Sequence, residues 1–196
     1  LKNFSTINSN LLISAGSNKI KTISDGGGIL AEAEIAETFE KGVAIYDLNM
    51  FMALLGKDDA EFDFNDDHVV IRQGTGKSVI RYADVSHLKD PNKIGTRRPA
   101  EGEVDLDAAT IDAVRAKANI LSLPNVLITS EDGNLILKAT DKKTESGHNA
   151  SVVIGALQPA GTATFKYYFN VENFKLLPEK YHVQLSSKGI SKFTAD

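Results

Sequence analysis

One short pattern occurs twice in this chain and constrains its fold more than any other feature. The segment Tyr46-Asp47-Leu48-Asn49-Met50-Phe51-Met52-Ala53-Leu54 is matched at a constant offset by Phe169-Asn170-Val171-Glu172-Asn173-Phe174-Lys175-Leu176-Leu177. In each copy an aromatic residue closes an apolar run and an Asp or Asn suited to capping a helix follows. Apolar residues then recur at helical spacing, as Leu48, Phe51 and Leu54 and again as Val171, Phe174 and Leu177. The spacing predicts a direct passage from strand to helix, twice.

The match extends in both directions. Lys57 and Lys180 follow the two helices, and an alternating strand comes next in each half, Ala60 to Phe64 and Tyr181 to Leu185. Upstream, Asn10 to Ser14 resembles Asn125 to Thr129, and Ile20 to Asp25 resembles Ile136 to Asp141 once one residue is inserted. The repeat is nearly half the chain long. Solenoid units run about 20 to 50 residues, so a repeat of this length predicts two tandem domains of similar fold.

The remaining pattern is strand-rich α+β. Short β-branched or alternating runs separated by Gly, Asn and Asp turns predict strands at Leu11 to Ser14, Lys19 to Ile23, Ile29 to Ile35, Val43 to Tyr46, Val69 to Gln73 and Val79 to Ala83. The second half mirrors them at Val126 to Ser130, Leu135 to Ala139, Ser151 to Ile154, Thr164 to Phe169 and Ile190 to Thr194. Ser86 to Glu103 holds Pro91, Pro99 and several charges with little apolar periodicity, which predicts a connector. The expected division is a first domain over 1–88, a connector over 89–103 and a second domain over 104–196. Asp105 to Ile120 reads as the clearest helix. Its acids suit a positive helix N-terminus, and Ile111, Val114, Ala118 and Leu121 form an apolar stripe. Its counterpart is expected at Leu1 to Asn8, as a helix that starts before the chain does, and a final strand is expected to be missing from the second half.

Composition narrows function. The chain has 196 residues, no Cys and a net charge of −4. No disulfide framework or thiolate metal site is available, which fits a reducing cytoplasm, and no cofactor is expected. No apolar run reaches the roughly 18 residues of a membrane span, so no membrane partner is expected. With a negative net charge, any contact to nucleic acid has to be local.

The ordered strings LKNFSTINS at Leu1 to Ser9 and VAIYDLN at Val43 to Asn49, with DPNK in the connector and the strand-helix-strand unit around Phe169 to Leu185, resemble the sliding clamp, or DNA polymerase processivity factor, of T-even-type bacteriophages. The resemblance spans nearly the whole chain. It implies two similar tandem DNA-clamp domains per protomer, with sheets outside and helices lining a ring closed by three protomers. It further implies sequence-independent binding of duplex DNA, a polymerase partner, a clamp loader and a viral protein in the cytoplasm of an infected bacterium. Several loops differ in length from the family.

A ring retained on DNA topologically needs only weak phosphate contacts, supplied by cations through counterion release. Basic residues on or just after the predicted helices are Lys2, Lys57, Arg115, Lys117, Lys175 and Lys180, which are the candidate DNA contacts. Arg115 and Lys117 flank the apolar stripe on opposite sides. The face opposite the core carries Ala109, Asp112, Ala113 and Ala116, where Asp112 opposes phosphate. Pro91, Ile94 and Pro99 are candidates to border a groove for partner peptides. The alternative is a two-domain β-rich interaction or structural protein that does not encircle DNA.

No catalytic constellation is visible, and the chain is not read as an enzyme. Gly74-Thr75-Gly76-Lys77-Ser78 imitates the end of a phosphate-binding loop, but Ile71 stands where that motif needs its first Gly, and the segment joins two strands. Asp66-Asp67-His68 reads as a turn, since three consecutive residues point in different directions. His68, His87, His148 and His182 lie in different predicted elements without a nucleophile partner.

Overall fold

The computed structural model describes residues 1–55, 59–93, 100–144, 147–156, 165–187 and 190–196. The chain divides into two compact units, Leu1–Ile94 and Gly95–Asp196. The first runs α1 (Lys2–Ile7), β1 (Leu11–Ile13), β2 (Ser17–Ile23), β3 (Leu30–Phe39), β4 (Val43–Ile45), α2 (Leu48–Ala53), β5 (Glu61–Phe64), β6 (His68–Gln73) and β7 (Gly76–Arg81). Its strands form two antiparallel sheets in the orders β3-β2-β1-β4 and β5-β6-β7. The period of two decides the faces: Leu11 and Ile13 are buried with Val43 and Ile45, and Val69 and Ile71 join the same core. The helices cover this core through Phe4, Leu48 and Phe51. Asp47 caps α2 by accepting from the Met50 amide at 2.9 Å.

The second unit runs β8 (Gly102–Leu106), α3 (Ala108–Ile120), β9 (Asn125–Glu131), β10 (Asn134–Thr140), β11 (Ala150–Ala156), β12 (Lys166–Asn170), a 3₁₀ turn at Val171–Asn173, β13 (Tyr181–Leu185) and β14 (Lys192–Ala195). Its sheets have the orders β11-β10-β9-β12 and β14-β13-β8. The first repeats the arrangement β3-β2-β1-β4 strand for strand. Helix α3 buries Ile111, Val114 and Ala118 on the core containing Val126, Ile128 and Leu137. Its end is a Schellman turn, with the Leu123 amide bonding Ala118 O at 2.8 Å around Ser122 at φ 53.

Three expectations are corrected. The second strand-to-helix passage ends after one 3₁₀ turn, with Phe174 already at ψ 56. Asn170 makes no cap bond, and its side-chain oxygen accepts from Asn125 Nδ2 at 3.3 Å instead. Downstream, Pro178 has no N–H to continue a helix and restricts Leu177, whose amide is held by the Tyr181 hydroxyl at 2.9 Å. The α3 helix starts three residues later than expected, because Asp107 is its cap, bonding the Thr110 amide at 2.8 Å. Asp105 is therefore a strand residue. It belongs to β8, which begins inside the segment read as connector and extends into the segment read as helix. With only Val104 and Leu106 facing inward, β8 is too short and too charged to register as an alternating pattern. Finally, Leu121 is 36% exposed and lies outside the stripe that α3 buries.

Strand register also refines the repeat. Leu11 pairs with Ile45 and Val126 with Phe169, while the Leu48 amide bonds Ser9 O at 2.6 Å and the Val171 amide bonds Pro124 O at 2.9 Å. The structural equivalents are thus Ile45 with Phe169 and Leu48 with Val171. Between them the first unit has two residues, Tyr46 and Asp47, where the second has only Asn170. Since Asp47 occupies the capping position, Tyr46 is the inserted residue and is not the counterpart of Phe169.

The strand β8 creates a titratable contact across the sheet. Asp105 pairs with His182, and its carboxylate lies 2.8 Å from His182 Nδ1, with Glu103 at 3.6 Å from Nε2. The Asp105 hydrogen bond is the main cause that raises the His182 pKa, with the charges of Glu103 and Asp105 adding to it. A group whose folded pKa is raised stabilises fully below its unfolded pKa, about 6.5, and loses that contribution as pH rises through the folded value. The melting temperature of the parent should therefore exceed that of His182→Gln near pH 5 to 6, and the difference should vanish on the alkaline side. A difference independent of pH would refute the linkage.

Candidate nucleic-acid interface

Helical residues α1 and α2 pack against each other, and their solvent side is formed by the residues that the core does not claim. Lys2 is exposed on α1. On α2 the exposed residues are Asn49, Met50 and Ala53, followed by Leu54, and neither helix contains an Asp or Glu. In the sheet of the first unit, β3 exposes Glu32, Glu34 and Glu37, two of which pair with Lys19 at 2.9 and 3.4 Å. The helices themselves carry no carboxylate, with Asp47 at the start of α2 and Asp25 beside Asn8 at the end of α1 as the adjoining acids.

In the second unit, Lys117 is exposed in the last turn of α3, while Arg115 is half-buried and lies 3.5 Å from Asp112, one helical turn away. That pair answers the objection raised by Asp112, whose charge is partly met on its own helix. It also engages Arg115, leaving Lys117 as the more open cation of the two. Lys180 is exposed just before β13, and its carbonyl accepts from the Asp196 amide. Lys175 is half-buried beyond the 3₁₀ turn. Lys57 lies outside the described residues. Arg115 and Lys117 share one helix; Lys175 and Lys180 sit on the segment joining the 3₁₀ turn to β13.

Of the groove candidates, Ile94 and Pro99 lie outside the described residues. Pro91 is buried at the start of a 3₁₀ turn, Pro91–Lys93, that packs on β2. The sequence reading missed what anchors this segment. Leu88 is buried, and the Lys89 ammonium donates to the carbonyls of Ser24 and Asp25. Lys21 Nζ also donates to Asn92 at 3.3 Å. The turn receiving Lys89 is itself fixed by buried Asn8, which donates to Ile23 O at 2.7 Å and to Asp25 at 3.2 Å. A lone apolar Leu88 within a charged run was the available signal.

The decoys resolve into local structure. Gly74 and Thr75 form the two-residue turn of the β6–β7 hairpin, with Gly74 at φ 53. Asp67 sits 2.6 Å from His68 Nδ1 and accepts from Arg81 at 2.9 Å; the His68 hydrogen bond leads in holding its carboxyl below the usual range. Among the described residues, no three His, Asp or Glu side chains are grouped to hold a metal. A cavity of about 500 Å³ opens beside β1 and β4, bordered by Leu12, Val43, Ala44 and Tyr82, with the Lys41–Asp66 ion pair at 3.1 Å.

Comparison with known proteins places this architecture. The chain superposes on an A. fulgidus PCNA, solved with the C-terminal region of FEN-1 bound, with a TM-score of 0.69 at 12% identity, covering 98% of this chain and 85% of that one. It also matches a putative DNA polymerase III beta subunit from Eubacterium rectale with a TM-score of 0.65 at 15% identity, covering 97% of this chain and 55% of the other. The fold is that of the DNA clamps, α+β with two clamp domains in tandem. Residues 103–196 match the family described as gp45 sliding clamp, C terminal. The sliding clamp of Vibrio phage KVP40 is 30% identical over 200 residues, covering 98% of this chain and 89% of that protein. That of Enterobacteria phage T4 is 31% identical over 196 residues, covering 96% and 84%. The chain belongs to the sliding-clamp family of T4-like phages, and its role is that of a DNA sliding clamp.

Proposed function

We propose that this protein works as a closed homotrimer around duplex DNA. A clamp loader places it there, and it tethers the replicative DNA polymerase in the cytoplasm of the infected bacterium without catalysing a reaction. The observation that carries the proposal is the duplication itself: two clamp domains in one chain, each with helix packed on its core and, among the described residues, edge strands with one side unpaired. Lys2 and Lys117, with Lys57, Arg115, Lys175 and Lys180, supply the weak contacts to phosphate. Few cations suit a ring that must slide, because retention comes from topology and each added phosphate contact steepens the salt dependence. The segment anchored by Leu88 and Pro91, continuing to Ile94 and Pro99, borders the partner groove. A tether of this kind raises the effective concentration of polymerase at the primer end.

Two edge strands are suited to closing the ring. On β7, Val79 is 52% exposed, and on β11, Val153 is 60% exposed, each in the middle of a strand that has one unpaired side among the described residues. Pairing β7 of one protomer with β11 of the next is heterologous and forms a ring when the rotation closes.

The test is topological. Loaded onto nicked circular duplex with its loader, the protein should survive gel filtration at high salt and be released when the circle is linearised. Equal retention on circles and linear fragments would indicate an open binder that does not encircle DNA.

A further inference from the structure

Resting on the sliding-clamp reading above, we propose that Tyr46 is a DNA-contact residue whose neutral phenol bonds a backbone phosphate. It is the most exposed aromatic side chain among the described residues, at 67%. Its hydroxyl has no hydrogen-bond partner among those residues. The residue is also the single insertion that distinguishes the first strand-to-helix junction from the second. Where the second unit closes its strand with Phe169, that ring is half-buried and packs edge-on against Phe174 and Phe193 at 5.5 and 5.7 Å. The inserted Tyr46 has no such packing to explain it.

Its surroundings fit a polyanion. Tyr46 immediately precedes the cap of α2, so it borders the helical layer of the first unit, whose helices carry no carboxylate. Asp47 is occupied by the Met50 amide. The neighbouring exposed residues are Asn49 and Met50, 48% exposed, and the layer's described cation is Lys2. In a chain of net charge −4, two helices without an Asp or Glu leave the Asp47 cap as the acid adjoining Tyr46, so phosphate meets less repulsion there than over the Glu-bearing β3. A phenol there donates one hydrogen bond to a phosphate oxygen while its ring lies against the sugar. The contact releases no counterion. It holds DNA without adding to the salt slope, which is the property a sliding surface needs.

This chain has no Trp, so Tyr46→Trp introduces a sole indole reporter. With the full-length protein and a fluorescently labelled blunt duplex at low ionic strength, Trp emission should change in parallel with the duplex anisotropy. Tyr46→Phe should weaken binding roughly fivefold, the size of one neutral-donor hydrogen bond, with the slope of log affinity against log salt unchanged. Lys2→Ala should instead reduce that slope. Duplex binding with a silent indole, or full affinity in Tyr46→Phe, overturns the assignment of Tyr46 alone. No anisotropy change with the parent protein overturns the DNA-binding reading as well.

Discussion

Leu48→Ala is expected to lower the stability of the first unit by about 4 kcal/mol, whereas Val171→Ala at the equivalent position of the second should cost only about 1 kcal/mol. Leu48 is 0% exposed, begins α2, and donates its amide to Ser9 O, so its side chain fills the corner where helix, β1 and β4 meet. Removing it leaves a cavity bounded by a capped helix and a sheet edge, neither of which can collapse far. Val171 occupies the same corner with its amide on Pro124 O, but it is half-buried and is followed by a single 3₁₀ turn free to settle inward. Hydrogen exchange read by mass spectrometry separates the two units. Amides of β1 and β4 should exchange roughly a thousandfold faster in Leu48→Ala, with those of β9 and β10 unaffected. Equal protection losses in the two variants would contradict the difference between the corners.

The same pair of corners shows what the sequence could and could not reveal. The duplication, the strand-rich class and the capped α2 were legible because Asp47 and the spacing of Leu48 and Phe51 act locally, within one turn. The second helix was misread because its apolar spacing was intact. What ended it were a side chain committed to a distant strand, Asn170 to Asn125, which is a tertiary event, and the Tyr181 hydroxyl on Leu177, a local bond that helical periodicity does not register. Pro178 was the local warning. Strand β8 was hidden for a related reason: Glu103 and Asp105 point outward and find Gln184 and His182 on a strand some eighty residues away in the chain. Only the pairing partner turns those acids from helix-dipole residues into strand residues. At the interface, chemistry identified the cations but not their engagement. Arg115 turns toward Asp112, and Tyr46, which carries no charge, could emerge as a candidate only from the strand register.

If the proposed trimer closes through β11, Val153→Glu is expected to abolish it while leaving the fold intact, raising the assembly's dissociation constant by at least about thirtyfold. The side chain projects from the middle of an edge strand into solvent, so in the isolated protomer the change is a surface substitution worth within about 0.5 kcal/mol. Edge strands that display an apolar residue beside unpaired amides tend to be covered, and a charge placed there is a common means of keeping them apart. Sedimentation equilibrium of the full-length protein at micromolar concentration should therefore give one protomer in place of three. The sharper test adds a second substitution. If β7 meets β11 of the next protomer, Val79→Lys combined with Val153→Glu in one chain sets a cation opposite each new carboxylate at every junction, and the trimer should re-form in low salt. Either substitution alone cannot achieve this, because a heterologous ring presents each edge to the other and never to itself. A trimer that survives Val153→Glu unchanged would remove β11 from the interface, and failure of the double variant to recover would break its pairing with β7.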